Sequence, residues 1–305
     1  MTSHLTPESA TSRTAEGDSA VSRTAQLAGT ELARDIRARV SAAAGELTAA
    51  GTQAQLAVVV ATDDESSAWY VRSIAKAAAK TGIHCDIVDL GADAGPEQIR
   101  STLETLSSDT SVHGIMLQTP LPAGANFEDL AASIAPEKDV DGANPLSLGR
   151  LAASLPAFAP ATAAAVMALL DHHDIPLAGR NAVVVGRSNV VGKPVAQLLL
   201  QRDATITICH RHTKDLAELT RPCDVLVVAV GRIGLITAAH VNPGAVVIDV
   251  GTNPTLDGGL AGDVDEAGVN GHVAGLTPVP GGVGPVTTAL LLQHTIQSAS
   301  RPRTA

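Results

Sequence analysis

Short apolar runs alternate with amphipathic stretches along the first half of the chain. Apolar residues recur at helical spacing in three segments, residues 32–47, 68–81 and 96–108. Continuous apolar runs typical of buried strands lie at residues 55–61, 83–90 and 113–117. Strands that are apolar throughout are typical of a parallel sheet covered on both faces. The pattern therefore predicts a β-α-β-α-β unit built on a parallel sheet.

A second series of the same kind begins near Pro160. Residues 161–172 have the spacing of a helix, and residues 181–211 predict a strand, a glycine-marked turn, a helix and a further strand. The runs DVLVVAVG and GAVVIDVG predict two more strands, and we expect a last helix over residues 286–299 to return to the first unit. The predicted fold class is α/β, with two doubly wound α/β domains in tandem.

Composition and net charge exclude some classes of function. The chain has 305 residues, of which 45% are apolar, so it can supply cores for two domains. A net charge of −10 argues against a general affinity for nucleic acid or for an anionic membrane, because both reward clustered cations. No apolar run approaches the ~20 residues of a membrane span. An anionic ligand must therefore be bound at a local site.

The N-terminus and the cysteines predict a reducing, cytoplasmic location. Residues 1–25 contain no apolar core of the kind that a signal peptide requires, and we expect them to be a disordered tail. Cys85, Cys209 and Cys223 are odd in number and show no CxxC spacing, which favours buried, reduced thiols. The histidines show no ligand spacing with Cys, Asp or Glu, so no metal site is predicted.

A glycine-marked turn follows the first strand of the second unit. In AVVVGRSNVVGKP, Gly186 ends the strand and Gly192 opens a helix six residues later. Glycine lets the backbone approach an anion, and the free N–H groups of a helix N-terminus attract phosphate, so the turn predicts a dinucleotide site. The spacing is not the usual GxGxxG. A tight strand-to-helix connection without a ligand is the alternative.

The next strand favours NADP over NAD. Rossmann domains that bind NAD place an acidic residue about 20 positions after the turn, whereas NADP calls for a cation there. Here ATITICHRHT ends in His210, Arg211 and His212 without an acid, and Arg187 directly follows the turn glycine. Two guanidinium groups at these places are suited to a phosphate. The alternative for Arg211 alone is a solvated surface cation.

Eight segments, taken in order, resemble the methylenetetrahydrofolate dehydrogenase/cyclohydrolase family over residues 25–300. They are YVRSIAKAAAKTGI, GIMLQTPLP, PEKDVDGANPLSLGRL, GRNAVVVGRSNVVGKPVAQLLL, TITICHRHT, GAVVIDVGTN, GDVD and TPVPGGVGPVTTALLL. The resemblance implies a subunit, usually homodimeric, that oxidises 5,10-methylenetetrahydrofolate with NADP; most members then hydrolyse the methenyl product to 10-formyltetrahydrofolate. It implies a folate-binding catalytic domain over residues 26–158 plus 284–305 and an NADP-binding Rossmann domain over residues 159–283, with a cleft between them.

The resemblance also implies roles for individual residues. Tyr70 would pack along the pterin and aminobenzoyl rings, Gln118 would support a catalytic lysine, and Asp141 would bind the pterin edge. A carboxylate suits that edge because it can accept two parallel N–H bonds, although a turn-capping Asp is the alternative. We expect the neighbouring Trp69 to pack in the core.

Two further groups of residues complete the predicted site. The loop that would close over nicotinamide and folate runs from Pro278 to Pro285 and supplies Pro280, Gly281 and Gly282. The predicted cofactor-binding residues are Gly186, Arg187, Ser188, Gly192, Arg211 and Thr252.

One position departs from the family pattern where proton transfer would occur. The family has a lysine four residues after the tyrosine, and this chain has Ile74 there. General acid–base assistance is typically worth ~10²–10⁴ in rate, so the change predicts a loss of hydrolysis more than of hydride transfer. On a helix Arg72 and Lys76 would point away from the face of Tyr70 and Ile74. Lys138 remains a candidate replacement.

These observations leave several functional hypotheses open. The first is an NADP-dependent methylenetetrahydrofolate dehydrogenase with little or no cyclohydrolase activity. The others are a bifunctional enzyme with a different base, an NADP-dependent oxidoreductase of the same fold acting on another substrate, and a non-catalytic paralogue that binds folate or NADP. The family motif PCTPxG also appears here as PATAAA, at residues 160–165, which supports an altered active site.

Overall fold

The computed structural model describes residues 24–255 and 257–301. The strands are β1 (Ala25–Gln26), β2 (Gln55–Val60), β3 (His84–Asp89), β4 (Gly114–Leu117), β5 (Asn181–Val185), β6 (Thr205–Cys209), β7 (Val225–Val228), β8 (Val246–Asp249), β9 (Asn253–Pro254), β10 (Leu260–Ala261) and β11 (Gly275–Leu276). The α-helices are α1 (Thr30–Ala49), α2 (Glu65–Lys80), α3 (Pro96–Ser108), α4 (Phe127–Ala131), α5 (Pro145–Ala152), α6 (Ala161–His172), α7 (Gly192–Leu200), α8 (Leu216–Thr220), α9 (Glu266–Val269) and α10 (Val283–Ala299). Every helix and strand that the apolar pattern predicts is present.

The first sheet is parallel, with the order β3-β2-β4. Its central strand β2 alternates between two cores, as a strand period of two requires. Val58 and Val60 belong to the core that includes α1, α2 and α10, whereas Ala57 and Val59 belong to the core beneath α3. Because both faces are covered, the strand is apolar throughout.

The second sheet is also parallel, with the order β1-β11-β8-β7-β5-β6. The chain leaves β5 towards β6 on one side and returns to β7 on the other side, so the strand order reverses at β5. Open α/β sheets bind ligands outside the carboxyl ends of their strands at such a reversal. The crevice between β5 and β7 is therefore the expected ligand site of this sheet. The fold therefore consists of two doubly wound α/β domains, and the second domain is of Rossmann type.

Helix α10 returns from the second sheet to the first, as the sequence predicts. It packs against α1, α6, β4 and α2. The Nδ1 atom of His294 lies 2.8 Å from the carbonyl oxygen of Val140, which attaches the helix to the segment after β4. The loop that precedes α10 therefore joins the two sheets.

Trp69 does not pack in the core, so that prediction is wrong. Its side chain is 62% exposed. The buried face of α2 consists of Ser67, Val71, Ile74 and Ala78. Trp69 lies two positions from both Ser67 and Val71, which is roughly 200° around a helix, and so it faces solvent.

The predicted disordered tail extends two residues too far. Thr24 is buried, and its hydroxyl donates to the carbonyl of Val273 at 2.9 Å. Ala25 pairs with Gly275, so the chain enters the edge of the second sheet here. The rest of the predicted tail, residues 1–23, lies outside the described residues.

The three cysteines have free thiols. Burial raises the pKa of Cys223 to about 12 and that of Cys85 to about 11, so these sulfurs are poor nucleophiles.

Within the part of the chain that the structure describes, no helix combines the length and apolar character needed to cross a bilayer.

Candidate functional site

The residues predicted to bind folate lie at the carboxyl edge of the first sheet. Gln118 directly follows β4, and α2 begins after β2 at the same edge. The segment that leads to Asp141 runs parallel to β4, because Ile115 donates to the carbonyl of Lys138 at 2.8 Å and bridges Asp139. Asp141 therefore leaves the sheet at the edge where Gln118 lies.

Tyr70, Asp141 and Thr288 form one cluster. The hydroxyl of Tyr70 shares a hydrogen bond with the side chain of Thr288, on the second turn of α10. Burial, and then the nearby charge of Asp141, raise the pKa of the Tyr70 phenol above its ordinary value. The phenol therefore stays protonated and can act as a donor or as a flat apolar surface.

The two aspartates of the DVDG segment have different tasks. Asp139 is buried and accepts hydrogen bonds from the backbone of Ala143 and Asn144, both at 2.9 Å. Asp139 is thus the aspartate that fixes the turn. The half-buried carboxylate of Asp141 accepts no hydrogen bond from any described residue. Burial, and then the charge of Asp139, raise its pKa to about 7. The carboxylate of Asp141, which accepts no hydrogen bond at the edge of the sheet where ligands bind, is therefore available to a ligand.

The amide of Gln118 is only half satisfied. Its Nε2 atom donates to the carbonyl of Thr119 and lies 3.4 Å from the hydroxyl of Ser67. Its Oε1 atom is buried and has no hydrogen-bond partner among the described residues. A buried acceptor without a donor costs free energy, of the order of 1–3 kcal/mol, and calls for an explanation. The missing donor is of the kind that a lysine on α2 would supply.

Ile74 is fully buried on the face of α2 that packs against the core. Arg72 and Lys76 are both exposed, in agreement with the helical geometry, so neither reaches this face. The ammonium group of Lys138 donates to the carbonyls of Leu106 and Asp109, at 3.3 and 2.6 Å, where α3 ends. These contacts hold Lys138 at a helix C-terminus, away from the predicted site.

The loop before α10 is held by backbone contacts. Gly281 has a φ of +112°, a conformation that favours glycine, and its carbonyl accepts from Gly29 at 2.9 Å. The N–H of Gly282 donates to the carbonyl of Pro278 at 2.8 Å, while Pro280 is exposed at the tip. The loop is thus closed by its own backbone and held against Gly29, and its tip is exposed to solvent.

The predicted phosphate turn requires both of its glycines. Gly186 has a φ of +136°, and a methyl group on it would collide with the carbonyl of Ala229 at the end of β7. A methyl group on Gly192 would collide with the backbone of Gly186. The turn is therefore compact and lies in the crevice between β5 and β7, where the backbone can approach a pyrophosphate. The residues fit a dinucleotide.

The side chains around this turn fit a 2′-phosphate. Arg187 follows β5 and Arg211 follows β6; both are exposed, and neither forms an ion pair with any described carboxylate. Ser188 is exposed beside Arg187, but its hydroxyl lies 3.2 Å from the N–H of Val191, so it also shapes the turn. Thr252 is exposed after β8. Among the described residues, no cluster of potential metal ligands occurs.

Sequence reasoning missed several residues that join the parts of the site. Ser67, Thr288 and Glu128 contact predicted site residues or their neighbours. The side chain of Asn189, inside the phosphate turn, donates to the carboxylate of Glu128 on α4 at 2.7 Å and so connects the two domains. The spacing of Ser67, three residues before Tyr70 and seven before Ile74, could have marked it as part of the same helix face.

Comparisons with known proteins match both parts of the chain. Residues 27–141 match the profile described as tetrahydrofolate dehydrogenase/cyclohydrolase, catalytic domain. Residues 160–303 match the profile of the NAD(P)-binding domain of the same family. The chain is 78% identical to Bifunctional protein FolD 1 of Saccharopolyspora erythraea, over 93% of this chain and 97% of that protein. It is 67% identical to Bifunctional protein FolD 1 of Rhodococcus jostii, over 90% and 93%.

Solved structures agree with the sequence matches. The structure resembles the bifunctional methylenetetrahydrofolate dehydrogenase/cyclohydrolase FolD of Campylobacter jejuni with a TM-score of 0.88 and 39% identity, covering 90% of this chain and 98% of that one. It resembles FolD of Trypanosoma brucei, solved with NADP and an inhibitor, with a TM-score of 0.87 and 34% identity, covering 91% and 97%.

Proposed function

The chain belongs to the tetrahydrofolate dehydrogenase/cyclohydrolase family, and we propose that it oxidises 5,10-methylenetetrahydrofolate with NADP but hydrolyses the methenyl product slowly or not at all. One observation carries the second half of this proposal. Ile74 occupies the position of the family lysine and is fully buried, while Gln118 Oε1 lacks a donor. The identity of 78% to a FolD relative gives no support to a different substrate.

NADP is bound by the second domain. Gly186 and Gly192 leave the backbone free to approach the pyrophosphate at the N-terminus of α7. We propose that Arg187 and Arg211 bind the 2′-phosphate, which explains why no acid follows β6, and that Ser188 and Thr252 line the remainder of the site. When bound, NADP accepts the hydride of the folate methylene group.

The first domain binds and orients the folate. We propose that the Tyr70 ring lies along the pterin and aminobenzoyl rings, and that Asp141 accepts two parallel N–H bonds from the pterin edge. The half-buried position of Asp141 strengthens these bonds, since little water competes. The loop segment of Pro280, Gly281 and Gly282 then covers the one-carbon unit and excludes water.

The two half-reactions place different demands on the residue at position 74. Hydride loss leaves a cationic methenyl group and moves no proton through a side chain, so an isoleucine does not obstruct it. Hydrolysis needs a group that takes a proton from the attacking water and returns one later. Isoleucine has no proton to move, and Arg72, Lys76 and Lys138 all point elsewhere. We therefore infer that only hydrolysis is lost, by ~10²–10⁴ in rate.

An assay of both half-reactions on the purified protein tests the proposal. With methylenetetrahydrofolate and NADP, we expect NADPH and the methenyl product to form in equal amounts, with the methenyl species accumulating. Methenyltetrahydrofolate added alone should disappear no faster than in buffer. Formation of 10-formyltetrahydrofolate at the rate of NADPH formation would reject the loss of hydrolysis. Absence of NADPH would reject the dehydrogenase itself.

We further propose that the protein is a homodimer, as its family resemblance implies. Both sheets end in strands with a free edge among the described residues, and Ile87 on β3 and Ile208 on β6 are 43% and 42% exposed. An exposed strand edge with apolar side chains favours pairing with another chain. Light scattering during size-exclusion chromatography should give twice the chain mass of 30.9 kDa. A monomer mass at micromolar concentration would contradict the proposal.

We also propose a cytoplasmic location. The free thiols of Cys85, Cys209 and Cys223 suit a reducing compartment. Cell fractionation with an antibody against the protein should place it with cytoplasmic marker enzymes, and recovery from an oxidising extracytoplasmic fraction would contradict this.

A further inference from the structure

The carboxylate of Asp263 is surrounded by N–H donors. Asp263 is not among the residues proposed above to bind NADP or folate. Its Oδ2 atom accepts from the backbone of Val230 and Gly231, at 2.6 and 3.0 Å. Its Oδ1 atom accepts from the backbone of Arg232 at 2.8 Å and from the side chain of Asn253 at 2.9 Å. The residue is fully buried and forms no salt bridge with a described cation. Backbone dipoles therefore balance its charge.

The turn that Asp263 holds lies at the strand reversal of the second sheet. Residues 230–232 follow β7, and Ala229, just before them, is the residue whose carbonyl excludes a side chain from Gly186. The backbone held by Asp263 thus borders the crevice into which the dinucleotide fits. Three consecutive N–H groups that point at one carboxylate cannot turn towards any other partner, so the path of this turn is fixed.

A second aspartate extends the same arrangement to the next strand. Asp249, at the end of β8, accepts from the backbone of Gly251 at 2.8 Å and of Asp263 at 3.0 Å through Oδ1. Its Oδ2 atom accepts from the backbone of Val264 at 2.9 Å. The segment that carries Asp263 is therefore itself fixed to the end of β8, next to Thr252. The two carboxylates set the backbone at the carboxyl ends of β7 and β8 together.

We propose that Asp263 is a positioning residue for NADP. It acts through the backbone of residues 230–232 and touches neither the cofactor nor the folate. The proposal rests on the proposed NADP-dependent function and adds to it a determinant of cofactor affinity. It implies that loss of the carboxylate weakens NADP binding while folate binding, which depends on the other domain, stays the same.

Asp263→Asn tests the proposal with Asp265→Asn as a matched control. An amide in place of the carboxylate directs an NH₂ group at backbone N–H donors, so the turn should relax. Asp265 is exposed and accepts only from the N–H of Gly268, within α9, so the same change there leaves residues 230–232 untouched. We expect the Kd of NADP, measured by fluorescence titration, to rise about tenfold or more in Asp263→Asn and to stay the same in Asp265→Asn.

Kinetic constants separate positioning from general damage. In Asp263→Asn the KM of NADP should rise with its Kd, saturating NADP should restore kcat, and the KM of methylenetetrahydrofolate should not change. Equal NADP affinity in folded wild-type and Asp263→Asn protein would overturn the inference, as would a parallel loss of folate binding. Failure of the wild-type protein to bind NADP would instead reject the proposed function.

A milder variant keeps the test valid if Asp263→Asn does not fold. Asn253→Ala removes one donor to Asp263 and leaves its carboxylate and three backbone bonds in place. NADP affinity should fall in this variant by a smaller factor and in the same direction, again without change in the folate KM. An unchanged NADP affinity in Asn253→Ala, together with an unfolded Asp263→Asn protein, would assign Asp263 to stability alone and overturn the inference.

Discussion

At the scale of the residue, our proposal is that Ile74 separates two reactions that a lysine would combine. Ile74→Lys should therefore restore hydrolysis of the methenyl product. A lysine here would lean towards the N-terminus of α2, where Gln118 Oε1 lacks a donor. Burial lowers the pKa of such a lysine, which suits a proton carrier. We expect the hydrolysis rate to rise by ~10²-fold or more, with the unfolding free energy about 1–3 kcal/mol lower.

Ile74→Met is the control for this prediction. Methionine fills a similar volume without a titratable group, so it should leave hydrolysis at the wild-type level and cost less than about 1.5 kcal/mol of stability. Both variants should keep the dehydrogenase step. A folded Ile74→Lys protein that hydrolyses no faster than Ile74→Met would show that the rest of the hydrolytic site has also been lost.

Asp141 offers a test of binding against stability. Its pKa in the folded protein is raised to about 7, so the folded state binds its proton more tightly than the unfolded state does. Asp141 therefore stabilises the fold at low pH, and this contribution is lost as the pH rises from about 4 to about 7. Asp141→Asn should be more stable than wild type above pH 7, by roughly 1–2 kcal/mol after allowance for partial exposure, and equal to it near pH 4.

Whereas the stability above pH 7 should increase in Asp141→Asn, folate binding should become weaker. An amide accepts with only one oxygen and carries no charge, so the KM of methylenetetrahydrofolate should rise by roughly tenfold to a hundredfold in Asp141→Asn. Urea unfolding at several pH values and initial-rate kinetics measure the two effects. A destabilised Asp141→Asn protein at pH 8, or an unchanged folate KM, would show that Asp141 has a structural task like that of Asp139.

At the scale of the element, we propose that the residues after β5 and β6 determine the choice of NADP over NAD. Arg211→Glu replaces the proposed phosphate-binding cation with an acid that can bind a ribose 2′-hydroxyl. We expect the KM of NADP to rise by roughly tenfold to a hundredfold, while the KM of NAD falls or stays constant. Lys214→Glu makes the same charge change at an exposed position three residues further on and should leave both constants alone. An equal effect of the two variants would mean that Arg211 acts only through the overall electrostatic potential of the protein.

The elements also show how far sequence reasoning extends. Long helices and buried strands were predictable because their apolar spacing is set by burial of one helix face or of both strand faces. Short elements such as α4, α9 and β11 have too few residues for a period, and tertiary contacts decide them. Trp69 was misplaced because α2 begins at Glu65, and its buried face is set by Ser67 and Val71 rather than by the largest side chain.

The site was predictable only where one local pattern carries it. The turn of Gly186 and Gly192 and the cations after β5 and β6 are local features, whereas Ile74 is noticed only by its departure from the family pattern. The backbone donors to Asp263 and the contact of Asn189 with Glu128 are different, because these groups become neighbours only through the fold. The three backbone groups that donate to Asp263 are more than 30 positions away from it, and Asn189 and Glu128 are 61 positions apart. No spacing rule reports such contacts.

At the scale of the whole molecule, polar contacts join the two domains beside the core that they share. Asn189 in the phosphate turn donates to Glu128 at 2.7 Å and accepts from Lys193 at 2.7 Å, which links the cofactor turn to the folate domain. Gln201 at the end of α7 donates to the carbonyl of Leu151 in α5, also at 2.7 Å. Because our proposal requires folate and nicotinamide to meet between the two domains, we expect these contacts to influence both substrates.

Glu128→Ala tests this dependence. Without the carboxylate, the phosphate turn loses its partner on α4 and the cleft can widen, so the KM values of NADP and methylenetetrahydrofolate should rise together, by about twofold to tenfold, with a lower kcat. A single partly exposed hydrogen bond contributes only about 1 kcal/mol, so the melting temperature should change little. Glu137→Ala, at an exposed carboxylate of the same domain, should leave the kinetics unchanged. A rise in the KM of NADP alone would restrict the role of Glu128 to the phosphate turn. Glu128 would then support cofactor binding without affecting the spacing of the two domains.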